Sequence, residues 1–156
     1  MKGNEKVIAA LNKALHDELT AIVQYMVQAE ICENWGYGRL AAATKSRAIA
    51  EMHHAEHLIE RIIFLDATPN VAVPLSPEIG GTVQQQLEAD LASEAGAIKE
   101  YNDGVALCAQ AGDAGSKDLF EALLRDEEKH ADFLEAQLHS IQEMGIGVYL
   151  GQQMGK

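Results

Sequence analysis

The chain has 156 residues and a formal net charge of −12 at pH 7. An acidic balance of this size argues against nucleic acids and anionic membranes as partners, since both recruit basic surfaces. It suits a protein that attracts cations, although a solvated acidic surface would give the same composition. From the length we expect a single domain over residues 1–156, large enough to bury a core of its own.

Targeting and membrane segments are not expected. The N-terminus is polar and leads into an amphipathic stretch, and no run approaches the roughly 18 apolar residues of a membrane span. The two cysteines, Cys32 and Cys108, form no CxxC pair, and we expect them to be buried side chains in a reducing compartment. The sequence therefore predicts a cytoplasmic protein.

The first predicted helix carries an apolar stripe with alternating steps of four and three, which is typical of the inward face of a bundle helix. Its members are Leu11, Leu15, Glu18, Ile22, Tyr25, Ala29 and Cys32. The third predicted helix repeats the stripe 76 positions later, as Leu87, Leu91, Glu94, Ile98, Tyr101, Val105 and Cys108. The same offset relates the second and fourth helices. We therefore predict two helical hairpins, at about 4–65 and 82–144, related by a pseudo-twofold axis.

Helix ends are predicted where glycine follows a stripe, since glycine is favoured just past a helix end. The first helix is expected to end in Trp35-Gly36-Tyr37-Gly38, the third in Gly112-Asp113-Ala114-Gly115, and the fourth at Gly145 and Gly147. All three prolines lie within Asp66–Gly81, and proline removes a helical donor. A long crossover is therefore expected between the second and third helices, and a short fifth segment over Val148–Met154.

A Glu-x-x-His motif occurs twice on the stripes, and each copy follows another striped glutamate by 33 positions. The six side chains are Glu18, Glu51, His54, Glu94, Glu127 and His130. Residues three apart on a helix share a face. Two single glutamates and two Glu-x-x-His motifs, one per helix, form the ligand set of a dinuclear iron or manganese site within a four-helix bundle.

Charge balance also favours a pair of metal ions. Four ionised carboxylates in a bundle core would cost several kcal/mol each, and protonating them requires large pKa shifts. Two divalent cations cancel the four charges, and a mainly oxygen ligand set suits iron or manganese. A lone Glu-x-x-His would more often be a surface glutamate beside a core histidine, but the duplication reverses that reading. We expect Glu51 and Glu127 to bridge the metals.

The remaining ligands then divide between the two metals. Glu18 and His54 are expected to hold one metal, and Glu94 and His130 the other. Tyr25 and Tyr101 each follow a ligand glutamate by seven positions, so their phenols could bond ligand carboxylates. Tyr25 could instead donate an electron during oxidation or be a satisfied core residue. The histidines without a partner at ligand spacing are expected at the surface or an interface: His16, His53, His57 and His139.

Almost from end to end, the chain resembles the bacterioferritins. The specific stretches include His16-Asp17-Glu18-Leu19-Thr20-Ala21-Ile22, Glu51-Met52-His53-His54-Ala55-Glu56, Leu124-Arg125-Asp126-Glu127-Glu128 and Ile141-Gln142-Glu143-Met144-Gly145. The resemblance implies an all-α, ferritin-like four-helix bundle with a long crossover between the second and third helices and a short fifth C-terminal helix.

The same resemblance implies iron storage and detoxification. The dinuclear site would be a ferroxidase, oxidising Fe2+ to Fe3+ with dioxygen or hydrogen peroxide. Ferric mineral would be stored in a hollow homo-oligomeric cage of 24 subunits built from dimers. A ferredoxin is a possible reductant for iron release.

Met52 carries a second implication of the resemblance. In bacterioferritins the methionine of Glu-Met-x-His is an axial ligand of a haem b shared between two subunits. Met52 lies about 100° around the helix from Glu51 and so points away from the metal core. On the residues alone, a packing methionine at a helix interface is the simpler reading. An accessory iron site on the cavity wall is not expected, because Ser46 and Ala50 occupy its face.

Other functions remain open on the same bundle. The main alternative is a non-storage di-iron or di-manganese peroxidase or catalase of the rubrerythrin type, although the CxxC…CxxC domain usual in rubrerythrins is missing. A Dps-like role would place iron ligands at a subunit interface and favour a basic tail for DNA. A purely structural bundle is opposed by the charge argument.

Overall fold

Five α-helices run through residues 1–155, the part of the chain that the computed structural model describes. They are α1 (Glu5–Asn34), α2 (Gly38–Phe64), α3 (Val83–Gln110), α4 (Ala114–Met144) and α5 (Ile146–Gln153). Within those residues there is no strand. The predicted all-α bundle of four long helices and a short fifth one is confirmed. That residues 1–156 form one domain stays a prediction.

The two hairpin turns close in the same way. Gly36 and Gly112 have φ values of 89° and 71°, in the left-handed region that glycine enters without steric cost. The next backbone N–H donates to the carbonyl oxygen of Cys32 in the first turn and of Cys108 in the second, at 2.9 Å in both. The 76-residue repeat therefore extends from the helix faces into the turns.

Helix starts explain where the boundaries differ from the prediction. Asn4, Thr82 and Asp113 each accept a hydrogen bond from a backbone N–H of the following turn, which is the role of an N-cap side chain. The cap at Asp113 starts α4 at the next residue, so Ala114 and Gly115 belong to the helix and not to the turn. At the other end only Gly145, with φ 81°, separates α4 from α5. The fifth helix therefore begins at Ile146, two residues earlier than predicted.

Two apolar clusters fill the bundle and leave a layer between them. One joins the start of α1 and the end of α2 to the end of α3 and the start of α4; it includes Leu11, Leu15, Leu58, Ile62, Cys108 and Phe120. The other joins the opposite ends and α5; it includes Cys32, Leu40, Leu87, Leu134, Ile141 and Tyr149. The Glu-x-x-His motifs and the two single glutamates fall between these clusters on every helix.

The crossover between α2 and α3 connects opposite ends of the bundle. Leu65, at its start, belongs to the first apolar cluster, and Val83, at the start of α3, belongs to the second. Side chains of α1 hold it: Gln28 donates to the carbonyl of Ile79 at 3.0 Å, and His16 pairs with the carbonyl of Pro74 at 3.1 Å. Within residues 1–155, no helix combines the length and apolarity needed to cross a lipid bilayer.

Candidate metal centre

The six side chains predicted as metal ligands meet in the layer between the two apolar clusters. Each of the four long helices contributes to it. All four glutamates are at most 2% exposed and His54 is 4% exposed. His130 is less enclosed, with a side chain that is 16% exposed. The fold thus concentrates four carboxyl groups and two imidazoles where water is largely excluded.

These side chains form two overlapping groups, in each of which one donor atom per residue lies within 4.8 Å of the others. The first group, here called the His54 half-site, is Glu18, Glu51, His54 and Glu127. The second, the His130 half-site, is Glu51, Glu94, Glu127 and His130. Glu51 and Glu127 belong to both groups, which is the arrangement expected of bridging ligands.

The distances repeat across the pseudo-twofold axis. Nδ1 of His54 lies 3.0 Å from Oε1 of Glu127 and 3.4 Å from Oε1 of Glu18. Nδ1 of His130 lies 2.9 Å from Oε1 of Glu51 and 3.4 Å from Oε1 of Glu94. Nδ1 of each histidine therefore lies closest to the predicted bridging glutamate of the opposite hairpin.

The chemistry of these atoms fits a pair of divalent cations. Each of the six residues has one buried polar atom without a hydrogen-bond partner: Glu18 Oε2, Glu51 Oε1, His54 Nδ1, Glu94 Oε2, Glu127 Oε1 and His130 Nδ1. The Nδ1 atoms lie within 3.0 Å of carboxylate oxygens, but these contacts do not have hydrogen-bond geometry. A buried polar atom that lacks a partner is costly, so such atoms are rare in native proteins. One unpartnered atom from every predicted ligand, all in one layer, is what a metal-binding set requires.

The pKa values at the centre are shifted by burial and by the close approach of its four carboxyl groups. Burial and the neighbouring carboxylates raise the pKa of Glu51 well above its usual range, and burial raises the pKa of Glu127 to about 12 despite the contact with His54. Burial alone would lower the pKa of His54, but its contacts with Glu127, Glu18 and Glu51 raise it. For Glu94, burial is outweighed by the contact with His130, and the pKa is lowered. Without cations, protons therefore neutralise the centre.

Two buried tyrosines donate hydrogen bonds to carboxylates of predicted ligands on the opposite hairpin. The Tyr25 hydroxyl donates to Oε1 of Glu94 at 2.6 Å, and the Tyr101 hydroxyl donates to Oε1 of Glu18. Burial raises the pKa of both phenols well above the usual value, so both remain protonated donors. The structure therefore places Tyr25 against a predicted ligand, and it gives Tyr101 the same role.

The sequence interpretation missed Asp126, which breaks the symmetry of the centre. Oδ2 of Asp126 lies 2.9 Å from Nε2 of His54, so this carboxylate fixes the ring and leaves Nδ1 facing the other ligands. The pseudo-equivalent position is Ala50, which offers no such group. Across residues 1–155, the close acidic partners of His130 all approach Nδ1. The 76-residue pattern gave no signal for Asp126 because its partner position is an alanine.

A second feature that was missed is a buried ion pair beside the centre. Nη2 of Arg47 lies 2.9 Å from Oδ2 of Asp90, and Gln24 donates to Oδ1 of Asp90 at 2.8 Å. The guanidinium carbon lies 4.3 Å from the centroid of the Tyr25 ring, a cation–π distance. Arg47 was visible as a charge on the apolar stripe of α2, one turn before Glu51, and this was the available signal.

Residues predicted outside the centre do lie outside it. Met52 is 44% exposed on the outer face of α2, close to Ile49, which is 46% exposed. His53, His57 and His139 are exposed, whereas His16 is half-buried under the crossover. Cys32 and Cys108 are buried free thiols, as predicted.

Comparison with known proteins places this chain in a family. The model of the ferritin-like domain matches residues 8–144. A bacterioferritin of Brucella melitensis is 46% identical over 145 residues, covering 93% of this chain and 90% of the relative. A bacterioferritin of Rhodobacter capsulatus is 44% identical over the same shares, and one of Mycolicibacterium paratuberculosis is 40% identical over 97% of this chain and 96% of the relative. The chain therefore belongs to the ferritin-like family and, within it, to the bacterioferritins.

Proposed function

We propose that this chain stores and detoxifies iron in the cytoplasm, and that its buried centre is a ferroxidase for incoming Fe2+. The observation that carries the proposal is the pair of ligand groups sharing Glu51 and Glu127. Membership of the bacterioferritins supports the storage role. Iron is here the substrate and cargo, bound at the centre before the ferric product joins the mineral.

The centre suits a two-electron oxidation. Each of two Fe2+ ions gives up one electron, and dioxygen or hydrogen peroxide accepts both electrons together with two protons from water. Dioxygen then gives hydrogen peroxide, and hydrogen peroxide gives two molecules of water. The bridging carboxylates hold the ions as neighbours, and His54 and His130 each supply a neutral nitrogen. A cavity of about 20 Å³ beside Glu18, bordered by half-buried Asp17, leaves room for a small oxidant.

The tyrosines and Asp126 support this reaction by orienting ligands. Tyr25 and Tyr101 hold Glu94 and Glu18 by hydrogen bonds to the carboxylates, and Asp126 sets the tautomer of His54. Since carboxylates and imidazole must be deprotonated to bind cations, metal uptake displaces the protons that neutralise the free centre. The Tyr25 phenol, 2.6 Å from Oε1 of Glu94, is also proposed as an electron donor when only one iron ion is bound.

A haem b shared by two copies of the chain, with Met52 of each as axial ligand, is proposed as a further cofactor. Its support is an exposed thioether on an outer helix face with the apolar Ile49 beside it, which suits an apolar group between subunits. A methionine-ligated haem supplies one-electron transfer. Met52→Leu should remove the Soret band from protein purified with haem available, and a full-strength band would exclude Met52 as the ligand.

The ferroxidase role is tested by paired variants on the same helices. Glu18→Ala and His130→Ala should abolish rapid Fe2+ oxidation, followed in the near-ultraviolet, while circular dichroism remains helical. Glu30→Ala on α1 and His139→Ala on α4 are matched controls, because both side chains are exposed, and they should oxidise Fe2+ normally. Wild-type rates in Glu18→Ala or His130→Ala would reject the assignment.

Storage is tested separately from oxidation, since a peroxidase or catalase of the rubrerythrin type would use the same centre. We propose a 24-subunit cage, built from dimers and discharged by a ferredoxin-type reductant. Light scattering should give a particle of roughly 400 kDa from 16.9 kDa chains, and iron added with dioxygen should remain with it. A stable monomer or dimer that retains no mineral would favour the non-storage enzyme.

A further inference from the structure

We infer that the two metal positions are unequal, and that the His54 half-site binds a divalent cation first and more tightly than the His130 half-site. The inference rests on the proposed dinuclear centre and deepens it. The six direct ligands alone would predict equal positions, because their types and distances repeat across the pseudo-twofold axis. The inequality comes from the residues around them.

The first asymmetry is the support of the histidine rings. Asp126 lies 2.9 Å from Nε2 of His54, where its carboxylate orients the ring and makes Nδ1 a stronger donor to a cation. Ala50 occupies the corresponding place beside His130. Loss of such a partner typically lowers metal affinity by about 10- to 100-fold, so the same difference is expected between the two half-sites.

Exposure of the histidines agrees with this difference. The side chain of His54 is 5% exposed, whereas that of His130 is 16% exposed. A ring that is more open to water and lacks an acceptor on Nε2 has more freedom to turn. Ordering it on binding a cation therefore costs more conformational entropy.

The second asymmetry is a positive charge on one side only. Arg47 lies over Tyr25, whose hydroxyl binds Glu94 of the His130 half-site. The positions related to Arg47 and Asp90 by the 76-residue repeat are Leu123 and Ala14, both apolar and buried. Asp90 offsets part of the Arg47 charge, but the guanidinium is the group that contacts the Tyr25 ring. The remaining field opposes a cation at the His130 half-site.

The order of binding is measured with Co2+ as the only added metal. Crystals grown with one Co2+ per subunit should show the stronger anomalous peak beside His54, and titration in solution should give two steps separated by at least about 10-fold in affinity. Equal peaks, a stronger peak beside His130, or a single step with both positions filled would each overturn the inference. No peak at either histidine would overturn the dinuclear centre itself, and with it the proposed function.

Variants then identify the cause of the difference. Asp126→Ala should weaken the first step about 10- to 100-fold, with Asp132→Ala, an exposed aspartate on α4, as the control.

Ala50→Asp should restore the missing carboxylate and strengthen the second step, whereas Ala42→Asp, exposed on the same helix, should not. The double variant Arg47→Leu/Asp90→Ala copies the residues of the other hairpin and should narrow the gap several-fold. Unchanged steps in both Asp126→Ala and Ala50→Asp would overturn the assigned cause.

Discussion

Two buried charged clusters lie side by side in this bundle and are balanced in different ways. In one, Arg47 and Asp90 neutralise each other, and Gln24 satisfies the second carboxylate oxygen. In the other, four glutamates surround two histidines, and every one of these six residues keeps a buried atom without a partner. The first cluster pairs one charge of each sign within the chain, although Nε and Nη1 of Arg47 are buried without a hydrogen-bond partner. The second becomes electrically balanced only when cations or protons are added.

The difference separates a structural ion pair from a binding centre. Both clusters are almost fully buried and both interrupt apolar stripes, so burial and pattern do not distinguish them. The total charge does, because the ion pair has one charge of each sign, whereas the centre gathers four carboxyl groups and two imidazoles. The free energy of folding should therefore respond to mutation at the ion pair, and to metal and pH at the centre.

Among single substitutions, the largest loss of stability is expected from Arg47→Met. The substitution leaves the Asp90 carboxylate buried without its counter-ion, which typically costs about 3–5 kcal/mol. Chemical denaturation of the metal-free protein measures the loss directly. Lys45→Met is the control, because Lys45 is an exposed residue of α2 two positions before the buried Arg47. An Arg47→Met protein as stable as wild type would show that the pair is not needed to neutralise Asp90.

Metal addition should stabilise the metal centre and leave the Arg47–Asp90 ion pair unaffected. A cation that binds only the folded chain stabilises it by about 2.7 kcal/mol at a free concentration 100 times its Kd. Thermal unfolding with and without Co2+ should therefore shift upward in wild type. The shift should persist in Asp113→Ala, which loses a helix cap and an ion pair with Arg61 outside the centre, and disappear in Glu127→Ala. A shift that survives in Glu127→Ala would place the cation elsewhere.

Stability of the metal-free protein should fall as pH rises. The folded pKa of Glu127 is raised to about 12 and that of Glu51 is also raised, so the folded chain binds more protons than the unfolded chain above the ordinary carboxyl pKa. The stabilisation is complete below about pH 4.5 and is lost at about 1.4 kcal/mol per pH unit for each such group. Chemical denaturation of the metal-free protein between pH 5 and pH 8 measures how steeply the free energy of unfolding falls with pH.

Two comparisons sharpen this pH experiment. Glu127→Gln should reduce the slope, because it removes one of the groups that must ionise. Saturating Co2+ should also flatten it, since the cation replaces the protons. A free energy of unfolding that increases with pH in the wild-type protein would contradict the assigned charge state of the centre.

The smallest effect is expected when both members of the ion pair are replaced together. Arg47→Leu/Asp90→Ala leaves no unpaired charge, and replacing a buried pair by apolar residues is often nearly neutral, within about 1 kcal/mol for a well-packed substitute. Comparing its free energy of unfolding with that of Arg47→Met isolates the cost of one lone charge. If the double variant were as unstable as the single one, packing and not charge would account for the loss.

Most of the fold and the meeting of the six proposed ligand side chains could be predicted because they repeat. Each stripe on α1 and α2 has a copy 76 positions later on α3 and α4, and a helical period together with charge balance was enough to choose Glu51, His54 and their counterparts. Helix boundaries were less accurate. The cap at Asp113 and the single glycine at Gly145 depend on local side-chain and backbone geometry that a stripe does not record.

The sequence by itself determined the bundle, its pseudo-twofold axis and the six converging side chains that we propose as ligands, because residue spacing sets which side chains share a helix face. Only the tertiary structure decided which residues make the halves unequal. Asp126 reaches His54, and Arg47 reaches Asp90 and Tyr25, across helices that are far apart in the chain. Contacts of this kind follow from how the hairpins pack, and no repeat in the sequence encodes them.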